Sequence, residues 1–269
     1  MPVDHYENFP VASWLLPRRL RAPVAAIYAF ARSADDIADE GDLDAASRLS
    51  RLAEYRDELA KITAGLPTRH PIFLRLSAAI AGHELPLAPF SDLLDAFSQD
   101  VVQRRYADFA ELMAYCRRSA DPVGRLLLRL FGAESEAQLA WSDAICSSLQ
   151  LANHWQDVAI DAARGRIYLP QEDLDRFQVG EAQILAGIVD EHWQDLLRFE
   201  VERARAMMHA GAPLGRTLPG RIGLELRLIV EGGLRILEKI EAVDYDVFRS
   251  RPVLKPLDWP PLLARALVS

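Results

Sequence analysis

Along most of the chain, apolar residues recur every three or four positions, the spacing that lines them up on one face of an α-helix. The pattern predicts helices over 24–39, 45–63, 72–82, 89–103, 109–131, 136–162, 179–210 and 220–242. Pro23 stands where a helix can begin, and Asp42 or Asp44 can start the second. Breaks fall at Gly65 and Pro67, Gly82 to Pro86, Gly132, Gly165 to Pro170, Pro213 to Gly220, and from Val243 onward. Between them no alternating run of β-branched residues survives, so no sheet is expected. No internal repeat or low-complexity tract divides the chain. The expectation is one all-α domain over residues 1–269, built of roughly eight to ten helices with its site in the bundle interior. The last apolar stretch, with Trp259, Leu262, Leu263, Arg265 and Leu267, reads as a final helix packed on the domain. Contact of that segment with a membrane surface is the alternative.

Composition narrows the partners. Half of the residues are hydrophobic, enough for a sizeable core, and the net charge is -8. An acidic chain lacks the basic face that nucleic acid requires, so no nucleic-acid partner is expected. A phosphorylated small molecule remains compatible, because a metal ion can join acid to acid. The two cysteines, Cys116 and Cys146, form no metal-binding spacing and read as packing thiols of a reducing, cytoplasmic compartment. The first residues lack a basic stretch followed by an apolar one, so no signal peptide is expected. No apolar run is long enough to span a membrane.

The chemistry lies in two acidic clusters, Asp35-Asp36-Ile37-Ala38-Asp39 and Asp157-Val158-Ala159-Ile160-Asp161. Tyr28, Arg32, Asp35 and Asp39 share a helical stripe about 60° wide, with Asp36 turned about 100° away. Gln150, Asn153, Asp157 and Asp161 share a second stripe about 80° wide on a helix that is apolar on its other sides. A single D-x-x-x-D is ordinarily a solvated face. Two of them, each preceded by polar residues on an otherwise buried helix, call for partners, since unpaired polar groups there cost several kcal/mol. Oxygen-only donors suit Mg²⁺, which bridges carboxylates to phosphates and keeps several waters; zinc would call for His and Cys. His154, turned about 100° from Asn153, reads as a packing residue or one that supports the stripe's residues from beside them. Beyond Asp161, Arg164 and Arg166 flank Gly165, a helix stop, and offer forked donors to phosphate oxygens. No P-loop, dinucleotide fingerprint, nucleophile elbow or H-E-x-x-H motif occurs.

The runs Tyr28-Ala-Phe-Ala-Arg32-Ser-Ala-Asp35-Asp36-Ile-Ala-Asp39, Gln150-Leu-Ala-Asn153-His-Trp-Gln-Asp157-Val-Ala-Ile-Asp161 and Arg164-Gly-Arg166-Ile-Tyr168-Leu-Pro170 match in motif, order and separation. With these the chain resembles the squalene/phytoene synthase family from about Glu7 to Ala242. The resemblance implies an all-α isoprenoid synthase helical bundle with a central cavity. It implies Asp35, Asp39, Asp157 and Asp161 as the carboxylates that hold Mg²⁺, with Tyr168 beside them in the catalytic set. Ser13, Tyr28, Arg32, Gln150, Asn153, Arg164 and Arg166 would then line the diphosphate. Phytoene synthases and presqualene-forming members usually carry an arginine just before the second motif's first Asp; here Gln156 stands there. With Glu7-Asn8-Phe9-Pro10 and Arg117-Arg118-Ser-Ala-Asp121-Pro122-Val123-Gly124, this looks like the hopanoid-pathway branch that turns presqualene diphosphate into hydroxysqualene. A neutral Gln156 is expected to alter the electrostatics beside the leaving group. Coupling of two farnesyl diphosphates is the nearest alternative, and a non-catalytic assembly factor of the same fold is another. Peripheral contact with the inner face of the membrane and with other squalene-pathway enzymes is compatible with such a substrate.

Overall fold

The computed structural model describes residues 16–269. Ser13 and the segment read as lacking a signal peptide lie outside the described residues. Within them the elements are helical throughout, with no strand. The first half holds α1 (Arg18–Asp39), α2 (Ala45–Thr63), α3 (Pro71–His83), α4 (Ala88–Val102), α5 (Phe109–Ser119) and α6 (Asp121–Phe131). The second holds α7 (Glu136–Gln156), α8 (Val158–Ala163), α9 (Gln171–Arg176), α10 (Glu181–Ala186), α11 (Glu191–Gly211), α12 (Leu214–Thr217), α13 (Gly220–Ala242) and α14 (Trp259–Val268).

Local chemistry sets the ends. The Asp44 carboxylate accepts from the Ser47 N–H at 2.7 Å and starts α2; Asp108 and Asp190 do the same for α5 and α11. Ser135 and Gln138 satisfy each other's backbone at the start of α7, a reciprocal cap. Helix α1 starts at Arg18 and carries Pro23 inside it, earlier than the proline suggested. Burial of Leu20, Pro23 and Val24 on one face holds that turn helical despite the missing donor.

Three expected helices are interrupted. The 109–131 pattern breaks at Ala120, ahead of Pro122, which has no N–H for the Arg118 carbonyl and whose ring would clash with it in a continuous helix. The 179–210 pattern breaks at Gly187, in the left-handed conformation that glycine adopts readily. The 136–162 pattern is distorted at Asp157, with φ -107° and ψ 14°.

Two buried clusters make the core. One gathers α1 to α4, α6 and the first half of α7, with Phe30 edge-on to Phe73 and Phe90. The other gathers the second half of α7 with α5, α8, α11 and α13 around Trp155 and Trp193. Helix α7 belongs to both and so runs through the middle of the bundle. It packs closely on α11: Ser148 Oγ donates to the Ala204 carbonyl at 2.7 Å, and a Cβ on Gly211 would sit 2.6 Å from the Trp141 carbonyl oxygen. Helix α14 packs on α13 through Leu262 and Ala266, as expected, leaving Leu263, Leu267 and Val268 exposed. No helix among the described residues is long and apolar enough to cross a membrane.

Candidate active site

The two acidic stripes meet. Asp35 and Asp39 at the end of α1 face Asp157 and Asp161 at the end of α7 and in α8, around a hollow of about 180 Å³. Gln150, Asn153, Arg166 and Tyr168 line it with them. The distortion at Asp157 does not scatter the second stripe. The N–H groups of Asp157 and Asp161 still donate to the carbonyls of Asn153 and Asp157, each at 2.9 Å, so the helical turn carries on through it.

Each pair is held by arginine. Arg166 grips Asp39 with two bonds, 2.9 and 2.6 Å, and donates a third to the Asp100 carbonyl at 3.1 Å. Burial works against that charge, but the Asp39 bonds outweigh it and raise the Arg166 pKa. Arg32 pairs with Asp35 at 3.0 Å and with Asp36 and Glu40 at 2.8 Å each. Asp36 is thus half-exposed and tied to Arg32, outside the hollow. Arg251 reaches Asp157 with two bonds, one of them 3.0 Å from Nη2 to Oδ2.

Sequence reasoning missed three participants and misjudged others. Asp100, on the buried face of α4 in register with Phe97 and Val101, lies at the floor of the hollow. It accepts from the Tyr115 hydroxyl at 2.9 Å and from that of Tyr168 at 3.4 Å. A carboxylate in an apolar helical stripe was a readable signal; Tyr115, in an ordinary core position, gave none. Arg251 comes from the irregular segment after α13, and only the tertiary fold brings it to the site. His154 takes the supporting one of its two expected roles: it lines the hollow, stacks on Tyr168 with ring centroids 3.7 Å apart, and bonds Gln150. Burial depresses its pKa to about 3, so the ring stays neutral.

Gln156 does not face the leaving-group region as expected. It is 1% exposed, and its amide donates to the Pro252 carbonyl. The residue next in sequence to that carbonyl is Arg251, so Gln156 anchors the segment that brings a guanidinium to Asp157. Arg164 also sits elsewhere than the acidic hollow, on the far side of Asp39 and 3.7 Å from it.

A second, larger hollow of about 510 Å³ adjoins the first, and Asp35 and Gln150 border both. Its walls are Leu16, Val24, Ile27, Phe97, Leu127, Phe131, Ile145, Leu149, Leu218 and Ile222, with Tyr28 and Arg32 near the shared border. A long hydrocarbon fits such a wall, while anything charged belongs at the acidic end.

The acidic end carries more negative charge than the protein neutralises. Burial, then the neighbouring Asp39, raises the Asp35 pKa to about 6. Burial, then Asp157, raises Asp161 to about 7. Burial raises Asp100 to about 7 against the pull of Arg166. All of these donors are oxygens, which fits a hard divalent cation. Among the described residues no three His, Cys, Asp or Glu side chains converge to enclose a metal by themselves. The donor set therefore fits an ion that brings further oxygens with it, water and phosphate among them.

Comparison with known proteins finds relatives over most of the chain. The family model for squalene/phytoene synthase matches residues 3–258. The chain is 36% identical to a hydroxysqualene synthase from Rhodopseudomonas palustris, over 94% of this chain and 85% of that one. It is 33% identical to a phytoene synthase from Arthrospira platensis, over 92% and 84%. Among solved structures, squalene synthase HpnC from Alicyclobacillus acidocaldarius superposes with a TM-score of 0.83 at 40% identity, covering 90% of each chain.

Proposed function

The chain belongs to the squalene/phytoene synthase family, and on that premise we propose that it converts presqualene diphosphate and water into hydroxysqualene and diphosphate with Mg²⁺. The observation that carries this reading is the junction of the oxygen-lined acidic hollow with the apolar one, through Asp35 and Gln150. The hydroxysqualene synthase relative supports the choice of reaction.

Asp35, Asp39, Asp157 and Asp161 would hold the metal, which when bound supplies positive charge to the departing diphosphate. Arg166, Asn153 and Gln150 orient the diphosphate from the walls, and fixed donors of this kind favour the charge that develops as the bond breaks. The C–O bond breaks with its electron pair going to diphosphate. The apolar hollow then shields the rearranging cation from bulk water. One water forms the new C–O bond and gives up a proton. The Tyr115–Asp100 pair, whose carboxyl titrates near neutrality, is placed to accept it at Asp100.

A second reading, head-to-head coupling of two prenyl diphosphates, is favoured by the comparable identity to phytoene synthases. A non-catalytic assembly factor has no use for four carboxylates kept together at one hollow. Purified protein incubated with Mg²⁺ and, in separate reactions, presqualene, farnesyl or geranylgeranyl diphosphate decides among them. Hydroxysqualene from presqualene diphosphate alone is expected. Products only from farnesyl or geranylgeranyl diphosphate would replace this reading with coupling.

A further inference from the structure

Behind Asp39, away from the acidic hollow, lies another of about 400 Å³ with the opposite character. Arg48, Arg104, Arg164 and Arg166 line it against only two carboxylates, Asp39 and Asp44. The two hollows share Asp39 and Arg166, so the bidentate ion pair between these residues is the wall that separates them.

The four arginines are not equivalent. Arg48 closes the end of α1 by donating to the carbonyls of Ile37, Glu40, Gly41 and Leu43, at 2.7 to 3.1 Å. Arg166 is committed to Asp39 and Asp100. Arg104 and Arg164 have no such saturation in carbonyls or carboxylates. Arg104 donates one Nη1 bond to the Arg164 carbonyl at 3.0 Å, and the Arg164 side chain is 57% exposed. Two guanidiniums gathered in one concavity repel each other, and an anion with several oxygens relieves that repulsion through forked, charge-assisted bonds. An acidic chain of net charge -8 gains nothing in solubility from such a cluster.

We propose that this arginine-lined hollow is a separate binding site for inorganic diphosphate, one that needs no metal. The contrast with the acidic hollow is electrostatic. There, carboxylates repel a bare diphosphate and a divalent cation must come first; here, guanidiniums accept the anion directly. That the anion is the enzyme's own product rests on the function proposed above, whereas the site itself rests on the arginines alone. Diphosphate held there would sit one ion pair away from the place where it is released.

The test is calorimetric titration of the full-length protein with inorganic diphosphate in excess chelator, with inorganic monophosphate as the second arm. Arg104→Gln is expected to weaken metal-free diphosphate binding at least tenfold, and Arg104→Lys by less than threefold. Ala45→Glu is the variant that keeps the fold, since an acidic residue in the first turn of α2 favours the helix while placing a carboxylate in the hollow. It too is expected to weaken binding at least tenfold. Asp157→Asn, at the acidic hollow, is expected to leave metal-free binding within twofold. Absence of metal-free binding would overturn the proposal, as would loss of binding in Asp157→Asn but not in Arg104→Gln or Ala45→Glu. Monophosphate binding as tightly as diphosphate would overturn the assignment to diphosphate. Failure of the presqualene diphosphate assay would leave all of these outcomes readable, because none of them depends on turnover.

Discussion

Replacing Gln156 with leucine separates the role of this residue from the charge beside the leaving group. The side chain is 1% exposed and bonds the Pro252 carbonyl. Leucine keeps most of the volume and removes the donor, so a buried carbonyl loses a partner, at a cost of about 1–3 kcal/mol. The neighbouring Arg251–Asp157 pair has side chains 33% and 24% exposed, so its loosening adds only about 0–1 kcal/mol. Together the change should lower the melting temperature by about 2–16 °C, since each kcal/mol shifts a chain of this size by about 2–4 °C. Circular dichroism melts read the stability, and steady-state kinetics read the site. Gln156→Leu should raise KM for the prenyl diphosphate about as much as Arg251→Gln does, because both release the guanidinium from Asp157. Arg251→Gln should cost much less in stability, since it leaves the buried amide bond in place. Gln156→Arg should not by itself confer farnesyl diphosphate coupling, because the side chain points to Pro252 and not into the acidic hollow. A Gln156→Leu protein that melts within about 1 °C of the parent with an unchanged KM would refute this reasoning, and so would a Gln156→Arg protein that gains coupling.

Other expectations follow from burial and charge. Burial, and the hydrogen bond with Asp173, push Glu200 up to about 9 from 4.5 although Arg203 pulls it down. The folded state thus binds a proton that the unfolded state releases, so this contribution is complete below about pH 4.5 and fades as pH rises through about 9. Denaturant melts between pH 6 and 9 should show stability falling in the parent and a flatter profile in Glu200→Gln. Asp161→Asn should reduce turnover by about 10²–10³, the scale of losing one preorganised electrostatic group. Its melting temperature at pH 8 should be unchanged or higher, because a carboxylate repelled by Asp157 is gone. Gly211→Ala should cost about 1–3 kcal/mol by overpacking, read in denaturant melts, because the new Cβ meets the Trp141 carbonyl and Ile145 Cγ1 at 2.6 Å each.

Much of this molecule was legible along the chain because its signals are local. The helices over 45–63 and 220–242 run as their periodicity indicated, bounded by Asp44 and by the Pro219–Gly220 junction. The two acidic stripes were readable for the same reason: residues three and four apart stay neighbours on a helix whatever it packs against. What escaped was long-range. Arg251 lies 94 residues from Asp157 and enters from a segment without periodicity. Asp100 and Tyr115 join the site only because α4 packs on α1 and α5, and α5 packs on α7. Gln156, although three positions after Asn153, is turned about 100° from its neighbour Asp157, so its place on the helix already pointed away from the hollow. The expectation of an electrostatic role came from resemblance, and burial against Pro252 replaced it. Arg164 was read with Arg166 because they are two apart, yet past the turn at Gly165, with φ 79°, Arg166 borders both hollows while Arg164 lines only the arginine-lined one.

The most direct measurement is turnover of presqualene diphosphate with Mg²⁺ in H₂¹⁸O, followed by mass spectrometry of the lipid product. Hydroxysqualene carrying one ¹⁸O atom is expected, formed without any nucleotide reductant and about 10²–10³ times more slowly in Asp161→Asn. Unreacted presqualene diphosphate, together with product formation from farnesyl or geranylgeranyl diphosphate, would contradict it.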